Sequence, residues 1–340
     1  MSKLGICVIG AGRAGKIHAQ NFAKNVPGAH LVAMADPAAD AAKNACAQLG
    51  VDAYYLDYRQ ALEDKNVDAV VIVTPTKYHT EIAVTAAAAG KHILCEKPMA
   101  MTVNECQTMI DAAKAGGVLL QIGFMRRFDS GFMRAKEIVE SGEIGDVVMV
   151  RSNTRGPSVP QPWMYNIKKS NGPLAEVNSH DIDTLRWFTG SEFETAYAIG
   201  GNYRCPDAKR DFPDFYDNVV LTAGFENGMQ GMIDGAQGAG YAYDARVEVL
   251  GVKGCVFIGR LNDDAVVSCT ADSAGNYPLV ASWRQLYKQA YLNEEAAFID
   301  SIRNGNPPKV SGYDGMMAVK VVNAGNISIT EKRIVRLDTI

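Results

Sequence analysis

The 340-residue sequence predicts an α/β fold: a doubly wound parallel sheet over residues 1–123, then an α+β domain over 124–340 with a mainly antiparallel, open-faced sheet. Three observations carry this. Short β-branched runs alternate with helical segments up to Gly123, as parallel strands with helical crossovers require. Ala69 to Val73 is wholly apolar, which suits a central strand covered on both faces. After Gly123 the rhythm changes to one helix, one strand, a proline-containing loop and then strands parted by turn residues.

Taken in order, Ile6 to Ile9 is the first strand and leads directly into glycines. A helix is expected from Ala14 to Lys24, a strand from Leu31 to Ala35, and an alanine-rich helix from Pro37 to Leu49 that stops at Gly50. Val67 to Val73 belongs mid-sheet. Tyr78 to Ala89 reads as a helix closed by Gly90, and His92 to Cys95 as another strand. Thr102 and Glu105 form a capping box that opens a helix to Ala115, and Val118 to Ile122 completes the sheet. Beyond the boundary come a helix (Phe132 to Glu140), a strand (Val147 to Ser152) and a loop through Pro157, Pro160 and Pro162. Glu192 to Cys269 holds several strands with turns at Glu226 to Gly228 and Lys253 to Gly254. Helices from Ser282 to Arg303 and Tyr313 to Ile329 and a last strand, Arg333 to Leu337, end the chain, the C-terminal helix packing back on the first domain.

Composition narrows the function. Lys and Arg total 34 against 38 Asp and Glu, a net charge of −4, so electrostatics supply no reason for a nucleic-acid or anionic-membrane partner. No apolar stretch approaches the ~20 residues of a membrane span, and the N-terminus is too short in apolar residues for a signal peptide. The seven cysteines are scattered, without zinc-ligand spacing; they read as small buried residues in a reducing cytoplasm, and no metal is expected.

Gly10, Gly12 and Gly15, with Arg13 and Ala14 between them, follow a strand and open a helix. That is the context of a dinucleotide phosphate loop: the first glycine turns tightly, the second admits the diphosphate, the third lets helix pack on strand. Asp36 ends the second strand, where a carboxylate accepts from ribose hydroxyls and repels a 2′-phosphate. NAD is therefore expected rather than NADP.

Glu96, Lys97 and Pro98 after a strand, Thr74 and Pro75 with His79 after the preceding one, the Gly123 to Asp129 segment, Ser179 to Asp183, Tyr241 to Asp244 and Ala290 to Glu294 resemble the glucose-fructose oxidoreductase / inositol dehydrogenase / rhizopine catabolism (Gfo/Idh/MocA) family along nearly the whole chain, with the inositol 2-dehydrogenase branch most similar. The resemblance implies a Rossmann domain; a homo-oligomer, a dimer or tetramer, is expected because an antiparallel sheet covered by few helices leaves one face to be buried. The resemblance also implies that Lys97 points at the reacting hydroxyl, that His180 is the general base with an acidic partner four residues before it, and that Thr74, Pro75, His79 and Glu96 lie near the cofactor. Family members usually carry Asp as that partner; this sequence has Glu176. Around the substrate the resemblance puts Arg127, Asn153, Tyr241 and Tyr243.

The chemistry of these residue types agrees. Hydride transfer from a secondary alcohol needs the hydroxyl proton removed, a task suited to imidazole near neutral pH. If Pro173 to Phe188 is one helix, Glu176 and His180 share a face one turn apart, so the carboxylate can hold the ring; the same spacing also describes a plain surface contact. Lys97 supplies positive charge where alkoxide character develops. His18, His30 and His92 read as structural or solvated. The expected activity is NAD-dependent oxidation of a cyclic polyol to a ketone. A sugar or glycoside dehydrogenase and a non-catalytic dinucleotide-binding regulator are the alternatives.

Overall fold

The structure is a computed structural model that describes residues 2–263, 268–270, 273–276 and 278–340. Contacts divide the chain into two units: Met1–Met125 with Gln289–Met317, and Arg126–Lys288 with Ala318–Ile340. Expected strand positions at 264–267 lie outside the described residues.

The first unit opens with β1 (Leu4–Ile9), α1 (Arg13–Lys24), β2 (Ala29–Ala35), α2 (Ala39–Leu49), β3 (Ala53–Tyr55), α3 (Tyr58–Glu63) and β4 (Ala69–Ile72). It continues through α4 (His79–Ala88), β5 (His92–Glu96), α5 (Val103–Gly116) and β6 (Leu120–Gly123). The sheet order is β3-β2-β1-β4-β5-β6, and every pair is parallel. β4 lies inside the sheet and is fully buried along its length, each Val or Ile side chain there contributing about 1.5–3 kcal/mol of burial. The capping box forms as expected: Glu105 N–H donates to Thr102 Oγ1 at 3.2 Å, and Thr102 N–H donates to Glu105 Oε2 at 2.9 Å. β3 and α3 were not expected. Three residues on a half-exposed edge are too few to display a periodicity.

The second unit holds α6 (Ser130–Glu140), β7 (Val147–Gly156), α7 (Ile167–Ser170), α8 (Gly172–Glu176), α9 (Ser179–Thr189), β8 (Phe193–Gly201) and α10 (Ala208–Asp211). β9 (Asn218–Phe225), β10 (Gln230–Gln237), β11 (Asp244–Gly251), β12 (Cys255–Ile258), the short pair β13 (Ser268–Thr270) and β14 (Ser273–Asn276), and α11 (Trp283–Leu286) follow. α12 (Lys288–Asn304) lies almost wholly in the first unit, α13 (Gly312–Glu331) begins in the first and ends in the second, and β15 is Val335–Arg336. The large sheet runs β12-β11-β7-β10-β9-β8-β15; β7 and β10 are parallel and its other pairs antiparallel.

One face of this sheet is covered. Val219, Leu221 and Phe225 of β9 point inward and are buried. The other face stays open and carries Ile199 at 61 % and Phe257 at 75 % exposure. Among the described residues no helix is long and apolar enough to cross a membrane.

Residues 289–317, most of α12 and the start of α13, join the first unit, whereas, with the boundary at 123/124, the C-terminal helix was expected to pack back on it. Their attachment is direct: Ile122 N–H donates to the Val310 carbonyl at 3.1 Å, and Gln121 bridges to Ser311, so this segment covers the edge of β6.

Candidate active site

In the first unit the carboxyl ends of β1, β2, β4 and β5 bring Gly10, Asp36, Thr74 and Lys97 to one edge of the sheet. β1 sits where the strand order reverses, with β2 on one side and β4 on the other, the place where open α/β sheets bind ligands. Gly10 has φ +113, which side-chain-bearing residues rarely adopt, and a Cβ on Gly15 would fall 1.9 Å from the Gly10 carbonyl oxygen. Gly12 is different: a Cβ there meets nothing within 4 Å. It is the N-cap of α1 and offers no side chain to the helix's first N–H groups, and the first turn carries no acid. Those donors, with the positive end of the helix dipole, suit a diphosphate.

Asp36 braces this loop. Its Oδ2 accepts the Ala11 N–H at 2.7 Å and its Oδ1 the Ala38 N–H at 2.8 Å. Each oxygen retains acceptor capacity for ribose hydroxyls. Thr74 adds a buried hydroxyl with no partner among the described residues. These residues fit a dinucleotide.

Lys97 follows β5, and its peptide bond to Pro98 is cis. Its backbone N–H donates to Glu96 Oε2 at 3.0 Å. Glu96 is buried; burial alone would raise its pKa, but His18 and Lys97 override that and hold it below the usual carboxylate range. His79 departs from the expected cofactor contact. The ring is 1 % exposed, with Nε2 2.8 Å from the Thr74 carbonyl oxygen and Nδ1 3.0 Å from that of Pro98. Both nitrogens are thus spent on backbone, and His79 braces the Thr74 and Pro98 turns against each other. Burial pulls its pKa down, against the pull of those carbonyls.

Glu176 and His180 belong to the second unit, and the expected single helix from Pro173 to Phe188 is broken. α8 ends at Glu176, α9 begins at Ser179, and Asn178 caps the new helix. The backbone leaves helical geometry at Asn178, where ψ is 0, and the Asn178 Nδ2 donates to Asp181 Oδ2 at 2.8 Å. His180 is the second residue of α9 and 5 % exposed.

Around it lies a buried network that sequence reasoning missed. Asp181 Oδ1 accepts from Arg126 Nη1 and from Thr154 Oγ1, both at 2.8 Å, and from Ser152 Oγ at 2.5 Å. Arg126 is 1 % exposed and lies over the Phe132 and Tyr287 rings at 5.8 and 5.7 Å. Arg151 to Arg155 on β7 are polar without interruption, so no alternation singled out Ser152 and Thr154, and only the fold reveals Asp181 as their target.

The substrate candidates separate. Tyr243 is buried edge-on against Tyr287, beside the Arg126 network. Arg127 is committed to Asp183 through two hydrogen bonds of 2.9 and 2.6 Å. Asn153 does not join His180. Ser152 and Thr154 face α9, so Asn153 between them faces the opposite, open side of the sheet. Tyr241 is on that side too: its hydroxyl donates to Asp244 at 2.7 Å and accepts from Arg155 at 3.4 Å.

Of the two readings expected for His18, the structural one holds: the ring lies fully buried between Glu96 and Glu295, which approach its nitrogens at 3.1 and 2.7 Å. Among the described residues no cluster of His, Cys, Asp or Glu could hold a metal ion.

Residues 4–124 match a family model described as an oxidoreductase family with an NAD-binding Rossmann fold, and residues 132–257 match the GFO/IDH/MocA C-terminal domain. The myo-inositol 2-dehydrogenase of Thermotoga maritima is 36 % identical over 98 % of this chain and 99 % of its own length. The scyllo-inositol 2-dehydrogenase (NAD(+)) of Bacillus subtilis is 33 % identical over 97 % of this chain and 95 % of its own. Among solved structures, scyllo-inositol dehydrogenase from Lactobacillus casei with bound NAD(H) and scyllo-inositol superposes with a TM-score of 0.90 at 28 % identity, covering 99 % of this chain and all of that one.

Proposed function

The chain belongs to the GFO/IDH/MocA oxidoreductase family, and from that premise we propose that it is an NAD-dependent dehydrogenase oxidising a ring hydroxyl of an inositol-class cyclic polyol to a ketone. The observation that carries this reading is the shared sheet edge of the first unit: a phosphate loop, an Asp36 carboxylate braced against it, and Lys97 at the end of β5. Bound NAD supplies the hydride acceptor.

In this reading the chain's own residues handle position and the proton. α1 holds the diphosphate, and Asp36 accepts from the adenosine ribose. His180 takes the hydroxyl proton while the C–H bond breaks, Lys97 stabilises the negative charge that grows on that oxygen, and Glu176 steadies the His180 ring. Two readouts test it: NADH formation with myo- and scyllo-inositol, and the same assay on His180→Ala and Lys97→Ala. Each substitution is expected to lower kcat/KM by about 10²–10⁴. Near-normal turnover in both variants refutes the assignment, and a substrate panel including pyranose sugars separates inositol from sugar specificity.

The open face of the large sheet supports a homo-oligomer. Ile199, Leu250 and Phe257 stand on it beside a groove of about 430 Å³ whose lining includes Arg151, Arg155, Arg246, Asp234 and Glu248. Apolar side chains flanked by charges of both signs suit the same face of a second copy. Asn153 and Tyr241, if they serve the substrate, do so from that face. Seven free cysteines, five of them buried, fit a reducing cytoplasm.

A further inference from the structure

Four ionisable side chains of the first unit lie together out of solvent: His18 on α1, Glu96 at the end of β5, and Glu294 and Glu295 on α12. Their exposures run from 0 to 6 %. His18 Nδ1 is 2.7 Å from Glu295 Oε1, and Nε2 is 3.1 Å from Glu96 Oε1. A neutral imidazole has one donor and one acceptor, so it would aim a lone pair at one of these carboxylates; the imidazolium donates to both. The Tyr291 ring meets His18 edge-on at 5.4 Å and helps exclude water.

Glu96 passes this arrangement on. One carboxylate oxygen receives His18, and the other accepts the backbone N–H of Lys97 at 3.0 Å. The cation therefore links the helix that begins at the phosphate loop to the residue that carries the ammonium. Glu294 shows how closely charge is matched. Both its oxygens are buried with no partner among the described residues, and it shares its surroundings with Glu96 and Glu295. Burial, then the nearby Glu96, raises the Glu294 pKa well above the usual carboxylate range, because a further buried anion there costs several kcal/mol.

We propose that His18 is a positioning residue that, as a buried imidazolium, clamps the phosphate-loop helix to the strand end bearing Lys97 through Glu96. This rests on the reading of Lys97 and the phosphate loop as dehydrogenase machinery. Burial alone would lower the His18 pKa, but the bonds from Glu295 and Glu96 carry it up to about 10. The groups facing the ring are Glu96 from β5 and Glu294 and Glu295 from α12; Lys97 faces Glu96, and Asn21 of α1 lies beside Glu295.

The test uses the full chain labelled with ¹⁵N-histidine. NMR of the ring nitrogens, with His18 identified by its loss in His18→Gln, is expected to show two protonated nitrogens at pH 8. A singly protonated neutral ring at pH 8 overturns the proposal. Should His18→Gln fail to fold, Glu295→Gln identifies the same signal as the ring resonance it displaces. A second arm measures turnover and NAD affinity in Glu295→Gln. Its kcat is expected to fall about tenfold or more and its NAD affinity to weaken, with the inositol KM within about twofold of wild type and partial recovery in Glu295→Asp. Unchanged kcat and unchanged NAD affinity overturn the positioning role. If the wild-type chain turns over no inositol, the functional reading fails while the NMR and NAD-binding measurements still decide the state of His18.

Discussion

The Asp36 carboxylate accepts the Ala11 backbone N–H at 2.7 Å, so the acid expected to read the ribose also sets the shape of the phosphate loop. Asp36→Ala removes both functions. A hydrogen bond to a charged group contributes about 1.5–3 kcal/mol, which corresponds to an NAD KM higher by about 10- to 100-fold. Discrimination against NADP should narrow as well. Steady-state kinetics with both cofactors measures this; an unchanged NAD KM contradicts the role.

Gly12 and Gly15 should fail in opposite ways. Gly12 has φ −73 and open space at its Cβ position, so Gly12→Ala is expected to keep its stability within about 0.5 kcal/mol while losing at least about tenfold in NAD affinity, roughly 1.4 kcal/mol. Gly15→Ala drives a methyl into the Gly10 carbonyl oxygen, and a loss of about 1–3 kcal/mol in folding is expected. Urea denaturation and calorimetric NAD titration separate the two; equal effects on both readouts would argue against the assigned division.

Asp181→Ala strips Arg126 of its buried carboxylate. Leaving one ion of a buried pair alone costs about 3–5 kcal/mol, and the urea midpoint should fall accordingly. Because Asp181 pins α9 to β7 beside His180, kcat is expected to drop in variants that still fold, such as Asp181→Asn.

Stability should decline as pH rises above neutrality. Burial, then Glu96, raises the Glu294 pKa well above its ordinary 4.5, and His18 rises from 6.5 to about 10. Both groups bind protons more tightly when folded. Stability from Glu294 is complete below about pH 4.5 and is lost as pH climbs toward its folded value; that from His18 is complete below 6.5 and is lost toward 10. Glu294→Gln removes the first contribution, so the variant should unfold at higher urea than wild type at pH 8, with a flatter profile between pH 6 and 9. A wild-type profile that rises over this range contradicts both assignments.

Phe257→Glu, at 75 % exposure on the open sheet face, is expected to leave the fold intact and lower the oligomeric state in light scattering. A wild-type chain that is already monomeric at working concentration removes the basis for that interface.

Most of the first sheet was legible because buried parallel strands declare themselves as apolar runs: the expected strand Val67 to Val73 contains the observed β4, Ala69–Ile72. The phosphate loop was legible for a related reason, since glycine spacing between a strand and a helix is local. What escaped depends on partners remote in sequence. His18 and Glu295 are 277 positions apart, and nothing near residue 18 announces a carboxylate. Helical spacing suggested an unbroken turn from Glu176 to His180, but the backbone leaves helical geometry at Asn178, which no periodicity announces. Asn153 was misplaced because alternation fixes which residues share a face, not which face meets α9; Ser152 and Thr154 decide that by bonding Asp181.

The polypeptide passes between the units at three places, after Met125, Lys288 and Met317. A gene fragment ending at residue 125 would therefore encode a cofactor module with the rim of β6 stripped bare and His18 missing one of its two counterions. Moving this half intact from one enzyme to another therefore takes two separate stretches of sequence, the second being residues 289–317.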